Sequence, residues 1–349
     1  MAYISFQPHD YFNTKLWNGN SVNNTAITGV GFAPNFVWGK QRTSTEHHQL
    51  LDSIRGANNI LISSGSNSAV QDSNILNSFD SDGFTLGNQD QLNDTGDTYV
   101  GWSWKAGTTG SGTSSGSGTG KAYSYSVSTT SGFSIVKYVG NGTAGHTIPH
   151  HLGAVPKMIM AKNLGRDEHW RVYHASLGND KKINLNLTTI AGSGSEWNST
   201  TPTSSVFSIG TGEQINYNDD NYIAYCFADL QGFSKIGSYV GNGEPANDAP
   251  FIYTGFKPAF VLLTSSSYAG QHWAITDNRR LGYNGDSAWL KADNLGAELT
   301  NLVNPDLLSN GFKLQNNNDI YNKNGQSYIY MAFAESPLVS SNGVPTCAE

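Results

Sequence analysis

The chain is poor in charge. Lys, Arg, Asp and Glu make up 13% of its 349 residues, where about 25% is usual for a soluble globular protein. Neither sign is gathered. The net charge is −7, and no Lys/Arg cluster forms the basic stripe that a nucleic-acid groove needs, so DNA and RNA are not expected partners. Cysteine is nearly absent: Cys226 sits in an apolar run and Cys347 near the end. Two free thiols are expected, because a disulfide framework needs more of them. Long hydrophobic runs are missing too. No segment approaches the ~18 apolar residues of a membrane-spanning helix, so no membrane insertion is expected. The opening Met1-Ala2-Tyr3-Ile4-Ser5-Phe6 lacks the basic region, apolar core and cleavage site of a signal peptide. Synthesis in the cytoplasm, with release by lysis or assembly, is the expectation.

What fills the composition is Gly (39 residues), Ser, Thr and Asn, together with 17 Tyr, 15 Phe and 8 Trp. The small polar residues suit turns and are weak helix formers. Aromatic and β-branched residues set between them predict short strands. Helix is expected only in short pieces, near Asn74 to Phe79 and Ala297 to Leu308.

One pattern occurs three times. It opens with a strand ending in Gly-Asn: Leu16-Trp17-Asn18-Gly19-Asn20, Tyr138-Val139-Gly140-Asn141 and Tyr239-Val240-Gly241-Asn242. A Pro then precedes a new apolar strand, at Pro34, Pro156 and Pro258. Next come His47-His48, His169-Trp170 and His272-Trp273, then Phe84, Phe207 and Phe312. An aromatic strand closes each copy, at Tyr99-Val100-Gly101-Trp102, Tyr222-Ile223-Ala224-Tyr225 and Tyr328-Ile329-Tyr330-Met331. The Gly-to-Pro offsets are 15, 16 and 17, and the Pro-to-His offsets 13, 13 and 14. The His-to-Phe offsets are 37, 38 and 40, and the Phe-to-Tyr offsets 15, 15 and 16. The longest interval varies most, as surface loops do. Gly-Asn is read as a tight turn tolerating positive φ, and the Pro as a strand start that sacrifices no ladder bond. The closing strands are apolar on both faces, so each should be central and covered on both sides.

The expected fold is all-β: three tandem β-sandwich or jelly-roll-like units joined partly by a Gly/Ser linker. Unit 1 spans 1–105, a Gly/Ser/Thr linker 106–121, unit 2 122–230, unit 3 231–336 and a C-terminal tail 337–349. The linker, Gly107 to Gly120, has no apolar side chain and is read as flexible or extended. Units 2 and 3 abut through Asp229-Leu230-Gln231-Gly232-Phe233 and should form a rigid pair, with unit 1 placed separately.

The candidate chemistry reduces to structural readings. Gly112-Thr113-Ser114-Ser115-Gly116 matches a nucleophile-elbow pattern but lies in the linker, without a strand before it or a helix after it. His150 and His151 are adjacent, so a strand would point them to opposite faces, and His146 is separated from them by Pro149. His47, His169 and His272 recur with the repeat and are expected to be hydrogen-bonded to loops. Asp80-Ser81-Asp82-Gly83 resembles part of a calcium loop, yet the matching positions are Thr203-Ser204-Ser205-Val206 and Leu308-Ser309-Asn310-Gly311, so a hairpin turn is expected. No pair among the 27 acidic residues stands out for glycoside hydrolysis. Trp197 and Tyr268 lie in polar surroundings suited to a sugar site, or else fold back onto the sandwich. No catalytic residue, metal ligand or cofactor is assigned, and the ligand-binding residues stay open.

As a set, the landmarks resemble those of an uncharacterised β-rich repeat domain family of marine bacteriophage virion surface, tail-fibre-like proteins. The similarity extends to Met1 to Pro8 with Asp10-Tyr11-Phe12, Asp52-Ser53-Ile54-Arg55-Gly56, Tyr173-His174-Ala175-Ser176-Leu177-Gly178, Leu308 to Leu314, Tyr328 to Glu335, and Ile148-Pro149-His150-His151-Leu152-Gly153. It covers nearly the whole chain. It implies a non-enzymatic virion structural protein, a tail-fibre or receptor-binding surface component. The expected partners are other virion proteins, further copies of this chain and a host surface glycan. A capsid decoration protein is the alternative, and a virion-associated polysaccharide-degrading enzyme the second.

Overall fold

The computed structural model describes residues 4–280, 284, 287–302, 305–339 and 344. Strands dominate, and all the strand pairs are antiparallel. The first large sheet runs in the order Phe12–Asn18, Thr98–Trp104, Phe36–Gln41, Gln49–Asp52, Gly56–Leu61, Val70–Gln71. The third repeats that order with Ser234–Val240, Ser327–Pro337, Phe256–Ser265, Ala274–Asp277, Ser287–Lys291 and Leu299–Leu302. The second has the same centre, Phe133–Val139, Asn221–Ala228, Pro156–Asn163 and Arg171–His174. A three-stranded sheet accompanies each, built around Gly83–Leu86, His146–Pro149 and Gly311–Lys313.

The closing strands are central, and their period of two divides them between two cores. Ile223, Tyr225 and Phe227 enter one apolar cluster, while Tyr222, Ala224, Cys226 and Ala228 enter another. The first of these clusters also takes Val100, Trp102 and Trp104 from the first sheet and Ile329, Met331 and Phe333 from the third. One core is therefore common to all three large sheets. The outer faces pack separately, against Phe84, Phe207 and Phe312. The expectation that the first unit is placed separately is corrected here: Phe12 stacks on Phe333 at 5.2 Å, and Phe36 on Tyr225 at 4.4 Å. Two-faced apolar strands need cover on both sides, and the second cover comes from the other sheets.

The Gly/Ser/Thr stretch is not a free linker. Thr108–Thr113 pairs with Ala122–Ser128, and Ser115–Gly116 with His146–Pro149. Gly110 lies opposite Tyr125, and Gly112 opposite Tyr123. A Cβ at either glycine would meet the facing tyrosine hydroxyl at 2.5 or 2.8 Å, so the rings lie across bare backbone and replace the missing side chains. Neither expected helix forms: Leu76–Asp80, Leu299–Leu302 and Asp306–Leu308 are strands. Among the described residues the α-helices are instead Asp90–Asn93, Glu213–Asn216 and Asp319–Asn322, one before each closing strand.

These helices explain the Gly-Asn landmark. Gly19, Gly140 and Gly241 do not adopt positive φ. A Cβ there would lie 2.0–2.4 Å from the carbonyl oxygen of Asp94, Tyr217 or Lys323, so close backbone approach demands glycine. The last residue of each helix, Asn93, Asn216 or Asn322, is wholly buried. The Asn216 Oδ1 accepts the amides of Asn141 and Gly142, and its Nδ2 donates to Thr143 O and Gly210 O. Asn322 bonds in the same way, and Asn93 does so with one amide fewer, accepting Asn20 N and donating to Val22 O and Gly87 O.

Candidate functional site

Several sequence candidates are absorbed by the fold. Ser114 is 4% exposed. Its hydroxyl accepts Lys121 N at 2.9 Å, donates to Lys121 O at 2.8 Å and lies 2.7 Å from His146 Nε2. His146 Nδ1 is flanked by Ser117 O and Asn141 Nδ2. Burial lowers the His146 pKa against the opposing effect of the Ser117 bond, and Lys121 lowers it further. A serine–histidine pair therefore exists, but it is sealed and its hydroxyl is occupied by the backbone.

His47, His169 and His272 each bond one loop residue through Nδ1: Ser64 at 2.8 Å, Asn186 at 2.8 Å and Asp293 at 2.6 Å. His150 is buried, with Nδ1 accepting Leu152 N and Nε2 donating to Thr203 O. His151 has φ of 60° and stacks on Tyr125 at 3.7 Å. Among the described residues, no three or more His, Cys, Asp or Glu are grouped to hold a metal ion. Asp80 and Asp82 lie at a hairpin turn. Asp82 accepts the Gly29 and Gly31 amides, which hold its carboxyl below the usual range. Trp197 folds back, 1% exposed, against Tyr173 and Phe207. Tyr268 is half-buried, with Lys323 Nζ 4.0 Å from its ring. Cys226 is buried and unbridged, and burial pushes its thiol pKa up; Cys347 lies outside the described residues.

Sequence reading missed the groups that join the sheets. Asp52 and Arg55 form a buried pair, Oδ2 to Nε at 2.5 Å, and Asp277 and Arg280 form another at 2.6 Å. Each aspartate reaches a closing strand of another sheet. Tyr225 Oη donates to Asp52 Oδ2 at 2.7 Å, and Trp102 Nε1 to Asp277 Oδ2 at 2.9 Å. His174 holds the third such place, with Nε2 on Tyr330 O at 3.3 Å. A second set runs the other way round: Trp170 Nε1 to Ile62 O, Trp273 Nε1 to Asn184 O and His48 Nε2 to Lys291 O. The first large sheet thus bonds to the second, the second to the third and the third to the first.

The boundary between the first and second sheets holds a cleft of about 330 Å³. Arg55, Asn59 and Ala69 line it from one side, and Lys137, Leu164, Asp219, Asp220 and Asn221 from the other. Asp219 pairs with Lys121 and Asp220 with Arg166, both at 2.5 Å. The Arg166 guanidinium lies 4.0 Å from the ring centre of Tyr217, which is 40% exposed. A smaller hollow of about 200 Å³ shares Lys137 and Asn221 and adds Tyr123 and Tyr138. Charged groups, amides and exposed rings side by side are suited to binding a polar ligand.

No curated protein and no solved structure matches the chain. Residues 7–337 match a family described as a domain of unknown function. With nearly its whole length covered by that match, the chain belongs to the DUF7483 family.

Proposed function

We propose that this chain is a non-enzymatic bacteriophage virion surface protein, a tail-fibre or receptor-binding component made of three copies of one β-sandwich unit. The observation that carries the reading is the cyclic closure of the three large sheets. Asp52–Tyr225, His174–Tyr330 and Asp277–Trp102 fasten each sheet to the next, around a core that all three share. Such a block holds its loops in fixed relative positions, which is what display of a binding surface requires. A sparsely charged chain rich in Ser, Thr and Asn supports the same reading, as does the sealed state of Ser114 and His146. The virion context comes from the sequence resemblance. Electron microscopy of intact particles with an antibody to this chain tests it. Label on the tail is expected, and particles that carry none would sink the proposal.

A capsid decoration role is the second reading, and one observation favours it. The edge strand Phe251–Tyr253 exposes Phe251 (42%) and Tyr253 (57%) on either side of buried Ile252. The first sheet set has Ala26 and Thr28 around Ile27 at that edge, and in the second the corresponding strand, with Thr147 and Pro149 around Ile148, is not an edge because Ser115–Gly116 pairs alongside it. An exposed aromatic edge strand is suited to docking on another protein. Label on the head, lost with Phe251→Ser and Tyr253→Ser, would favour decoration over attachment.

A further inference from the structure

Each boundary between large sheets carries one matching backbone bond: Ala69 N to Leu164 O, Ala191 N to Ser266 O and Glu298 N to Arg42 O, at 2.8–2.9 Å. Ala69, Ala191 and Glu298 thus occupy one structural position. Arg55 and Arg280 also correspond atom for atom. Each donates Nε to the aspartate three residues earlier and Nη2 to the carbonyl five residues earlier, Leu50 or Ile275.

The remaining nitrogen differs. Arg280 Nη1 donates to Glu298 Oε2 at 3.2 Å, and the same carboxylate accepts from Arg42 Nε and Nη2 at 3.0 and 2.7 Å. Where the second sheet meets the third, Leu177 stands three residues after His174 and Ala191 holds the place of Glu298, so neither the base nor the acid is present. Where the first meets the second, the base is present without the acid. Arg55, with its side chain 3% exposed, leaves Nη1 buried and without an acceptor. Ala69 fills none of the space that a glutamate would take, and the 330 Å³ cleft opens there. A buried donor without a partner is costly, more so on a charged group.

We propose that this cleft binds a carboxylate carried on a hydroxylated small molecule, a sugar acid, whose carboxylate takes the place beside Arg55 that Glu298 takes beside Arg280. Lys137, also lining the cleft, pairs with no carboxylate among the described residues and adds a second cation. Asp219 and Asp220 are already neutralised by Lys121 and Arg166, so they offer acceptors for hydroxyls without leaving net negative charge. Asn59 and Asn221 supply further polar contacts. The inference stands on the cleft and on the comparison of the three boundaries, and it does not depend on the virion reading.

Calorimetric titration of the full-length protein with D-glucuronate, D-glucose and acetate tests it. Saturable binding of one glucuronate is expected, with acetate weaker by about tenfold or more and no heat from glucose. Ala69→Glu supplies the acid in cis, so it should abolish glucuronate binding and raise the Tm. Lys137→Ala, at a half-buried position, should weaken binding severalfold with the Tm unchanged, and it decides the matter if Ala69→Glu does not fold. Absence of saturable glucuronate binding, equal binding of glucose, or binding unchanged in both variants would overturn the proposal. Acetate binding as tight as that of glucuronate would overturn the sugar-acid part.

Discussion

The Tyr225 hydroxyl donates to Asp52 Oδ2 across the boundary between the first and second large sheets, 173 residues apart in sequence and 2.7 Å apart in space. Asp52 is wholly buried, and its other strong partner is Arg55. Tyr225→Phe should cost about 1.5–3 kcal/mol, the worth of a hydrogen bond to a charged group. Asp52→Asn should cost more, about 3–5 kcal/mol, because it leaves a buried guanidinium unpaired. Urea unfolding of the two variants checks both values. If Asp52→Asn costs no more than Tyr225→Phe, the ion pair is not what the site depends on.

Asn216 satisfies two amides and two carbonyls from a wholly buried position. Replacing it with Ala strands these groups, and a loss of about 3 kcal/mol is expected. Asn93→Ala and Asn322→Ala should cost similar amounts. A midpoint shift confined to Asn216→Ala would show that the three helices are not equivalent in energy.

Ile223 is fully buried in the core shared by all three large sheets. Ile223→Asp places a carboxylate there without a partner, at a cost of several kcal/mol or more. Because the core is common, the whole chain should fail to fold, not the second sheet alone. Retained cooperative melting of the first or third sheet set in this variant would argue for independent cores.

Stability should fall in acid through three histidines. His48, His150 and His174 are each buried in one arrangement, with Nδ1 accepting a nitrogen donor and Nε2 facing a backbone carbonyl. That arrangement fits the neutral ring and excludes the imidazolium, which has no acceptor lone pair. Burial pushes His150 and His174 down to about 4 and holds His48 well below its usual value. The unfolded chain takes up these protons near pH 6.5, while the native chain does so near pH 4 at His150 and His174 and well below 6.5 at His48. Their contribution is thus complete above pH 6.5 and is lost as the pH falls from there towards 4. Melting temperatures across that window should drop, and His174→Gln should flatten the slope.

The sequence makes some of this legible and hides the rest for physical reasons. The closing strands could be placed from Tyr99, Tyr222 and Tyr328 because both their faces are apolar. Alternation cannot say what covers each face, so the core shared by Trp102, Tyr225 and Met331 went unforeseen. The three helices are four residues long, too short to show a 3.6-residue period. A signal for them does exist: Asn93, Asn216 and Asn322 each stand six residues before the closing tyrosine. The glycine-rich stretch misled because composition alone does not reveal a partner strand, here the one carrying Tyr123 and Tyr125. The D-x-x-R spacing at Asp52 and Asp277 was visible, but the cleft was not. It rests on the missing acid at Ala69, and Ala69 lies in the interval whose length varies most between copies.

Closure into a ring has a mechanical consequence. In a linear string of domains, pulling on one breaks a single joint at a time. Here each sheet is clasped by two neighbours, so extracting any one means parting two seams together, those of the second sheet being Asp52–Tyr225 and His174–Tyr330. Under load the molecule should yield in one large step instead of three small ones.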